Sequence, residues 1–236
     1  MARKHHPLWV PSAEDRAVAH ALGAHAAFLP VDGGWVYVAR PPTRATTAVL
    51  DLVQAAYERF PGRAHAVLRQ RIRTTAPIAP LDRAVVEVAA KRLSVVDPHG
   101  TDGDGHGAGH GHPALRGRLE DLGPWVLTAR AHAGRAHRDV AATLRAPDGR
   151  TATAANTAAT NRTLHAELNL VQAWVAAHGP IPAGATVETA LQPCRMCAAL
   201  LVRAAEGRID VVYATPDPGR LARGTALQAL GWERRG

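Results

Sequence analysis

The sequence predicts an α/β protein in which a three-layer domain, a mixed sheet between helices, is preceded by a small α+β N-terminal module. From residue 114 onward strand-like and helix-like segments alternate, a pattern typical of a sheet with some parallel pairing. Residues 97–113, "DPHGTDGDGHGAGHGHP", offer no apolar face to bury and indicate a flexible linker. We therefore expect an N-terminal module at 1–96, whose role the sequence does not indicate, a linker at 97–113 and a domain at 114–236.

The N-terminal module is predicted to contain three helices and a strand. The first helix is capped by Ser12, with Asp15 three residues later in the reciprocal position of a capping box. The predicted segments are a helix at 11–28, a strand at 33–41 after a Gly-Gly turn, and amphipathic helices at 46–62 and 81–93. Between the last two helices lies a basic cluster of Arg63, Arg69, Arg71 and Arg73, which is either a phosphate-contacting surface or a solvated helix face.

The C-terminal domain begins with a predicted helix at 123–136 and a β-hairpin around a Pro-Asp-Gly turn. The elements that follow end at glycines or at changes of hydrophobic period. They are hairpin strands at 140–145 and 151–155, helices at 164–179, 194–207 and 225–231, and strands at 185–191 and 209–215. The last two strands are expected to be parallel and joined by the helix that carries both cysteines.

Composition restricts the function classes. The formal charge of +8 and the pI near 10.6 favour a polyanionic partner such as nucleic acid. Two cysteines cannot form a disulfide framework, and neither a signal peptide nor an apolar run of ~18 residues is present. We expect a cytoplasmic protein without a membrane partner, although an exported toxin would have the same features. The linker histidines, His99, His106, His110 and His112, could bind a metal adventitiously, but the glycines between them give no preorganised geometry, which favours a plain linker.

The cysteines Cys194 and Cys197, at positions i and i+3 of a predicted helix start, can bind one ion. Taken alone, the pair is equally a redox motif or half of a zinc ribbon. The pair lies too deep in the chain for the redox fold, and a ribbon needs a second C-x-x-C. With His165 as third ligand, zinc keeps an open position, as in catalytic sites, and Glu167 lies nearby as a proton carrier.

The segments "HAE" at 165–167 and "PCRMC" at 193–197 match the H-x-E and P-C-x-x-C signature of zinc nucleobase deaminases. Residues from about 115 to 236 resemble the zinc-dependent cytidine deaminase-like superfamily, in its bacterial branch of tRNA adenosine deaminases and DNA or RNA cytosine deaminases. The resemblance implies the three-layer fold of that superfamily and a Zn²⁺ cofactor. It assigns metal ligation to His165, Cys194 and Cys197, and catalysis to Glu167. It also implies that Asn156, at the end of the second hairpin strand, contacts the target nucleotide.

The substrate is less sharply predicted than the reaction. Arg195, between the two cysteines, either faces a substrate phosphate or is simply exposed. The basic charge, the branch resemblance and the extra N-terminal module favour nucleic acid as the substrate. Because the N-terminal half has no counterpart in the compact tRNA adenosine deaminases, we expect cytosine-to-uracil conversion in DNA or RNA. The alternatives are adenosine-to-inosine conversion of the tRNA type, deamination of free nucleosides or nucleotides, and a non-catalytic zinc-containing binding protein. The sequence makes no prediction of the oligomeric state.

Overall fold

Two five-stranded mixed sheets flanked by helices form the framework of the protein. The computed structural model describes residues 9–99, 115, 117–123 and 140–236. We refer to the described residues up to 123 as the N-terminal half and to residues 140–236 as the C-terminal half. The predicted α/β class, with a mixed sheet between helices, is confirmed.

The N-terminal half contains four helices and five strands. They are α1 (Ala13–Leu22), β1 (Ala26–Val31), β2 (Gly34–Ala39), α2 (Ala48–Arg59), α3 (Ala64–Val67), β3 (Arg71–Thr74), α4 (Pro80–Ala89), β4 (Arg92–Val95) and β5 (Leu119–Asp121). The sheet order is β4-β3-β1-β2-β5. Strand β1 is antiparallel to β2 and β3, whereas β3 and β4 are parallel.

The first helix begins as predicted and ends earlier. The side chains and backbones of Ser12 and Asp15 form the reciprocal capping box. The helix stops at Leu22, because Gly23 adopts a φ of 69°. The predicted extension to residue 28 is wrong: residues 23–25 lie between elements, and residues 26–28 belong to β1, which the sequence did not reveal because Pro30 lies in it. Pro30 is tolerated since β1 pairs only with β2 at that point.

The turn between β1 and β2 is formed by Asp32 and Gly33, one residue earlier than predicted. Both have positive φ values, 49° and 82°, as the two-residue turns of tight hairpins require. Gly34 serves another purpose, because an added Cβ would lie 2.8 Å from the Arg118 carbonyl oxygen. Because Gly34 has only a hydrogen as its side chain, the chain that leads into β5 can approach β2 closely.

The C-terminal half contains the elements that the sequence predicted for it, together with a short 3₁₀ helix and one more strand. They are β6 (Ala141–Arg145), β7 (Thr151–Ala155), α5 (Ala166–His178), β8 (Thr186–Leu191), α6 (Arg195–Ala204), β9 (Asp210–Thr215), a short 3₁₀ helix (Arg220–Ala222), α7 (Ala226–Leu230) and β10 (Glu233–Arg235). The sheet order is β10-β9-β8-β6-β7. The predicted parallel pairing of β8 and β9 through the cysteine-bearing helix is confirmed.

The division into a module, a linker and a domain stays a prediction. Strand β5 follows the predicted boundary at residue 114, yet it pairs with β2 in the first sheet. Most of the predicted linker, with His106, His110 and His112, and nearly all of the predicted helix at 123–136 lie outside the described residues. None of the helices in the described part of the chain has the length and apolarity of a membrane span.

The basic cluster is not a single helix face. Arg71 and Arg73 lie on β3, and Arg73 Nε is 2.7 Å from the buried carboxylate of Asp15. Arg63 binds Asp32 at 2.8 Å on the surface. The charges of Arg63 and Arg73 are thus compensated within the N-terminal half, which weakens the interpretation of this cluster as a phosphate-contacting surface.

One hydrophobic core joins the two halves. It contains buried side chains from the helices α2, α4, α5 and α6, among them Leu52, Val85, Leu168 and Leu200. Asp51 of α2 is buried beside this core, where it accepts a hydrogen bond from the Thr46 hydroxyl and lies 2.9 Å from Arg40 Nη1. Burial raises the pKa of Asp51 from 3.8 to about 6, although Thr46 and Arg40 oppose the shift.

We predict that Asp51 makes the unfolding free energy depend on pH. A carboxyl group whose pKa is raised on folding favours the folded state at low pH and loses that contribution as the pH rises through 6. The shift corresponds to about 2.5 kcal/mol between pH 4 and pH 8, because the unfolded carboxyl group is already partly ionised at pH 4. The unfolding free energy of Asp51→Asn, measured by chemical denaturation, should rise relative to that of the wild type by this amount as the pH increases from 4 to 8. A constant difference between the two proteins would contradict the prediction.

Candidate metal centre

The two central helices of the C-terminal half begin side by side and carry the predicted ligands at their first residues. His165 is the N-cap of α5, and Cys194 is the N-cap of α6. Both have extended backbone conformations, so their side chains leave the helix axis, and Cys197 follows within the first turn of α6. Because unpaired N–H groups at helix starts favour negative charge, this position stabilises thiolates.

The three side chains converge on one point. His165 Nδ1 lies 3.6 Å from Cys194 Sγ and 3.5 Å from Cys197 Sγ, and the two sulfurs are 3.7 Å apart. Their potential ligand atoms all lie within 4.8 Å of one another. Two sulfurs and an imidazole nitrogen are the donor types that zinc prefers, and the two cysteines are buried. The group therefore fits a zinc ion.

The cysteine pKa values move in opposite directions. Through its contact with Cys197, and further through His165, the pKa of Cys194 lies well below its ordinary value. Its neighbour holds the shared proton, so the pKa of Cys197 is raised. One thiolate is thus favoured even without a cation, and a bound cation would favour the second.

Glu167 lies beside the ligand group. It is 4% exposed, and its Oε2 is 3.5 Å from Cys197 Sγ. Burial raises the pKa of Glu167, an effect that the nearby His165 partly opposes. A buried carboxyl group at this position can hold and release a proton next to the ligand group.

The predicted substrate contact, Asn156, directly follows β7 and is buried. Its Oδ1 accepts a hydrogen bond from Ala158 N at 2.9 Å, so its amide Nδ2 is the group that can serve a substrate as a donor.

Sequence reasoning missed Asn169, whose Nδ2 donates to Ala155 O and to Thr157 Oγ1, each at 2.9 Å. Asn169 thereby attaches α5 to the chain that carries Asn156. The signal in the sequence that could have identified Asn169 was an amide side chain among the apolar positions of α5.

The Arg195 side chain makes its contacts with other parts of the protein. Its Nη1 lies 3.0 Å from Glu87 Oε2 on α4, and its Nε donates to Arg223 O at 2.9 Å. These contacts connect the first turn of α6 with the N-terminal half and with the loop at 216–225. The structure therefore brings together His165, Cys194, Cys197 and Glu167, with Asn156 at the edge of the same sheet, and engages Arg195 in contacts within the protein.

Comparison with known proteins identifies the class. Residues 131–236 match the family model described as Bd3614-like deaminase. Together with the sheet topology and the ligand group, this match shows that the C-terminal half is a deaminase domain of the cytidine deaminase-like superfamily. The predicted superfamily is thus confirmed. A search of curated proteins found no match.

Two solved structures are similar to part of the chain. One comes from a study of A-to-I editing by tRNA:A34 deaminases at the wobble position, with 27% identity, coverage of 41% of this chain and 77% of that chain, and a TM-score of 0.35. The other is the apo dCMP deaminase of cyanophage S-TIM5, with 20% identity, coverage of 45% and 87%, and a TM-score of 0.30. At these TM-scores the likenesses do not define a substrate.

We predict that Asn169→Ala destabilises the protein by about 1 to 3 kcal/mol, because it leaves the buried partners of the amide unpaired. Chemical denaturation would measure the change. Thr151→Ala, which removes an exposed hydroxyl at the start of β7, is the matched control and should change the stability by less than about 0.5 kcal/mol. Equal effects of the two substitutions would show that Asn169 does not hold β7 against α5.

Proposed function

We propose that the protein is a zinc-dependent hydrolytic deaminase of a nucleobase, with cytosine in DNA or RNA as the target. The observation that carries the proposal is the buried group of His165, Cys194 and Cys197 with the Glu167 carboxyl beside it. A closed structural zinc site has no use for a carboxyl group next to three ligands.

His165, Cys194 and Cys197 would hold the zinc ion. When bound, zinc makes water a sufficient nucleophile at neutral pH by lowering its pKa. Hydrolytic deamination replaces the amino group of cytosine by the oxygen of water and releases ammonia. The protons of the water must reach the ring nitrogen and the departing amine. Glu167 carries them, because its carboxyl group lies next to the ligand group and is shielded from solvent.

Asn156 would orient the target nucleotide. Its Oδ1 is held by Ala158 N, which fixes the amide so that Nδ2 can donate to an oxygen of the base or sugar. Arg195 is proposed to position α6 rather than to bind substrate, because Glu87 and Arg223 O already engage its guanidinium.

A polymeric substrate is supported by charge near the site. Exposed Arg162 precedes α5, and exposed Arg220 and Arg223 lie in the loop after β9, on the side of the sheet where α6 begins. Together with the formal charge of +8, these side chains favour a phosphate backbone beside the site. Asp217, which precedes the two arginines in the loop after β9, is the acidic exception. Adenosine in RNA and free nucleosides or nucleotides are the alternative substrates.

We predict that Glu167→Gln lowers the deamination rate by about 10²- to 10⁴-fold while zinc content is unchanged, because Glu167 moves protons and is not a ligand. The purified protein would be incubated with single-stranded DNA, duplex DNA, RNA and free nucleosides. Sequencing of the polymers and an ammonia assay give the products. C-to-T changes in DNA, or C-to-U changes in RNA, that disappear in the variant would support the proposal.

Glu188→Gln is the control, since Glu188 is an exposed acid on β8 whose neighbour is Arg145. It should leave the rate unchanged. A-to-G changes in RNA would favour the adenosine alternative, and ammonia from nucleosides alone would exclude a polymer substrate. A zinc-loaded protein without activity on any of these substrates would contradict an enzymatic function.

A further inference from the structure

The two halves of the protein have the same topology. In each half an antiparallel hairpin is followed by a helix, a strand, a helix and a strand, with the four-residue helix α3 inserted before the first of these strands in the N-terminal half. Read in one direction, the strands of these elements have the orders β4-β3-β1-β2 and β9-β8-β6-β7, while β5 and β10 extend the two sheets at opposite ends. The outer pair is parallel in both, and the other two pairs are antiparallel in both. Helix α2 therefore corresponds to α5, and α4 corresponds to α6.

The sequence of the first corresponding helix pair is also repeated. Helix α2 begins with A-V-L-D-L-V-Q-A at 48–55, and α5 begins with A-E-L-N-L-V-Q-A at 166–173. Both segments start directly after the N-cap residue, so the alignment follows from the structure. They differ only at Val49, which stands opposite Glu167, and at Asp51, which stands opposite Asn169. The proton carrier is thus one of the two positions that changed.

The ligand positions changed as well. The N-cap of α2 is Thr47 where α5 has His165, and the N-cap of α4 is Ala79 where α6 has Cys194. Three residues later, Asp82 stands where α6 has Cys197.

Hydrogen bonds connect the two helix starts in the N-terminal half. Thr47 Oγ1 donates to Asp82 Oδ1 at 2.6 Å, and Ala79 N donates to Asp82 Oδ2 at 2.9 Å. These contacts occupy the place that corresponds to the ligand group, and they satisfy the carboxylate without a cation.

Equivalent surfaces of the two halves face each other. Gln54 and Gln172, both seven residues after their N-caps, exchange two hydrogen bonds of 3.2 and 3.1 Å in the interior. A residue that contacts its own counterpart is the mark of a two-fold interface between like units. Helix α4 likewise packs against its counterpart α6. At the rim, Arg203 Nε donates to Thr43 O, and Arg44 Nη1 donates to Ala205 O.

We propose that the N-terminal half is a second copy of the deaminase fold that has lost its metal site and serves as a built-in partner subunit for the C-terminal half. Each chain then holds one metal site, and the face formed by α2, α4, α5 and α6 is covered within the chain. This inference rests on topology, sequence and packing and does not depend on the substrate proposed above.

Restoring the lost ligands tests the proposal. The full chain with Thr47→His, Ala79→Cys and Asp82→Cys should bind two Zn²⁺ or Co²⁺ ions instead of one, measured by total metal analysis and by the absorption of Co²⁺-thiolate bonds. The same substitutions together with Cys194→Ala and Cys197→Ala should bind one ion at the restored site. As a matched control, Thr47→His, Ala79→Cys, Asp82→Ala and Arg83→Cys add the same ligand types with one thiol displaced by a residue, and they remove the Asp82 carboxylate, which could otherwise act as the third ligand. This control should bind no additional ion.

A folded variant with restored ligands that binds no more metal than the displaced control would overturn the proposal.

The glutamine pair provides a test without metal, and it remains available if the substituted chains do not fold. Gln54→Leu and Gln172→Leu should each lower the denaturation midpoint, because each leaves a buried amide unpaired. The double substitution should recover most of the loss. Additive losses would contradict the two-fold contact, whereas a wild-type chain that binds no metal would contradict the proposed function instead.

Discussion

The candidate site depends on two helices that begin next to each other at one edge of a sheet. His165 and Cys194 are the N-cap residues of α5 and α6, and this position alone brings an imidazole and a thiol from distant parts of the chain within 3.6 Å. The parallel pair β8 and β9 fixes the position of α6, because a helix that joins two parallel strands must cross the sheet between them. The antiparallel contact of β8 with β6 then aligns the hairpin that precedes α5.

The N-terminal half completes this arrangement. The core is continuous between the halves, and the paired glutamines Gln54 and Gln172 fix how α2 lies against α5. Since unpaired buried amides are costly, this contact selects one relative position of the two helices. The ion pair of Arg195 with Glu87 acts at the start of α6, between the two cysteines. Part of the support for the ligand group therefore comes from the half of the protein that has no such group.

The sequence predicted most elements of the C-terminal half and its superfamily. Helices α5 and α7 end at glycines, β8 and β9 are rich in β-branched residues, and the spacing of His165, Glu167, Cys194 and Cys197 matches the signature of one superfamily. The sequence was insufficient where tertiary contacts determine whether a strand forms or what a side chain binds. Strand β1 contains a proline that only its position in the sheet tolerates, and β5 and β10 are three-residue strands whose pairing depends on distant partners. The role of Arg195 depends on Glu87, which is far away in sequence. The repeat was present in the segments 48–55 and 166–173, yet its meaning required the two sheets to be compared.

The most direct test of the account is X-ray absorption spectroscopy at the zinc edge on the purified full chain. The account predicts two sulfur ligands at about 2.3 Å and an imidazole nitrogen at about 2.0 to 2.1 Å, with the remaining position filled by a light atom. In Cys194→Ala the spectrum should lose one of the two sulfurs. A site of four sulfurs, or one of oxygen ligands without sulfur, would contradict a metal centre formed by His165, Cys194 and Cys197.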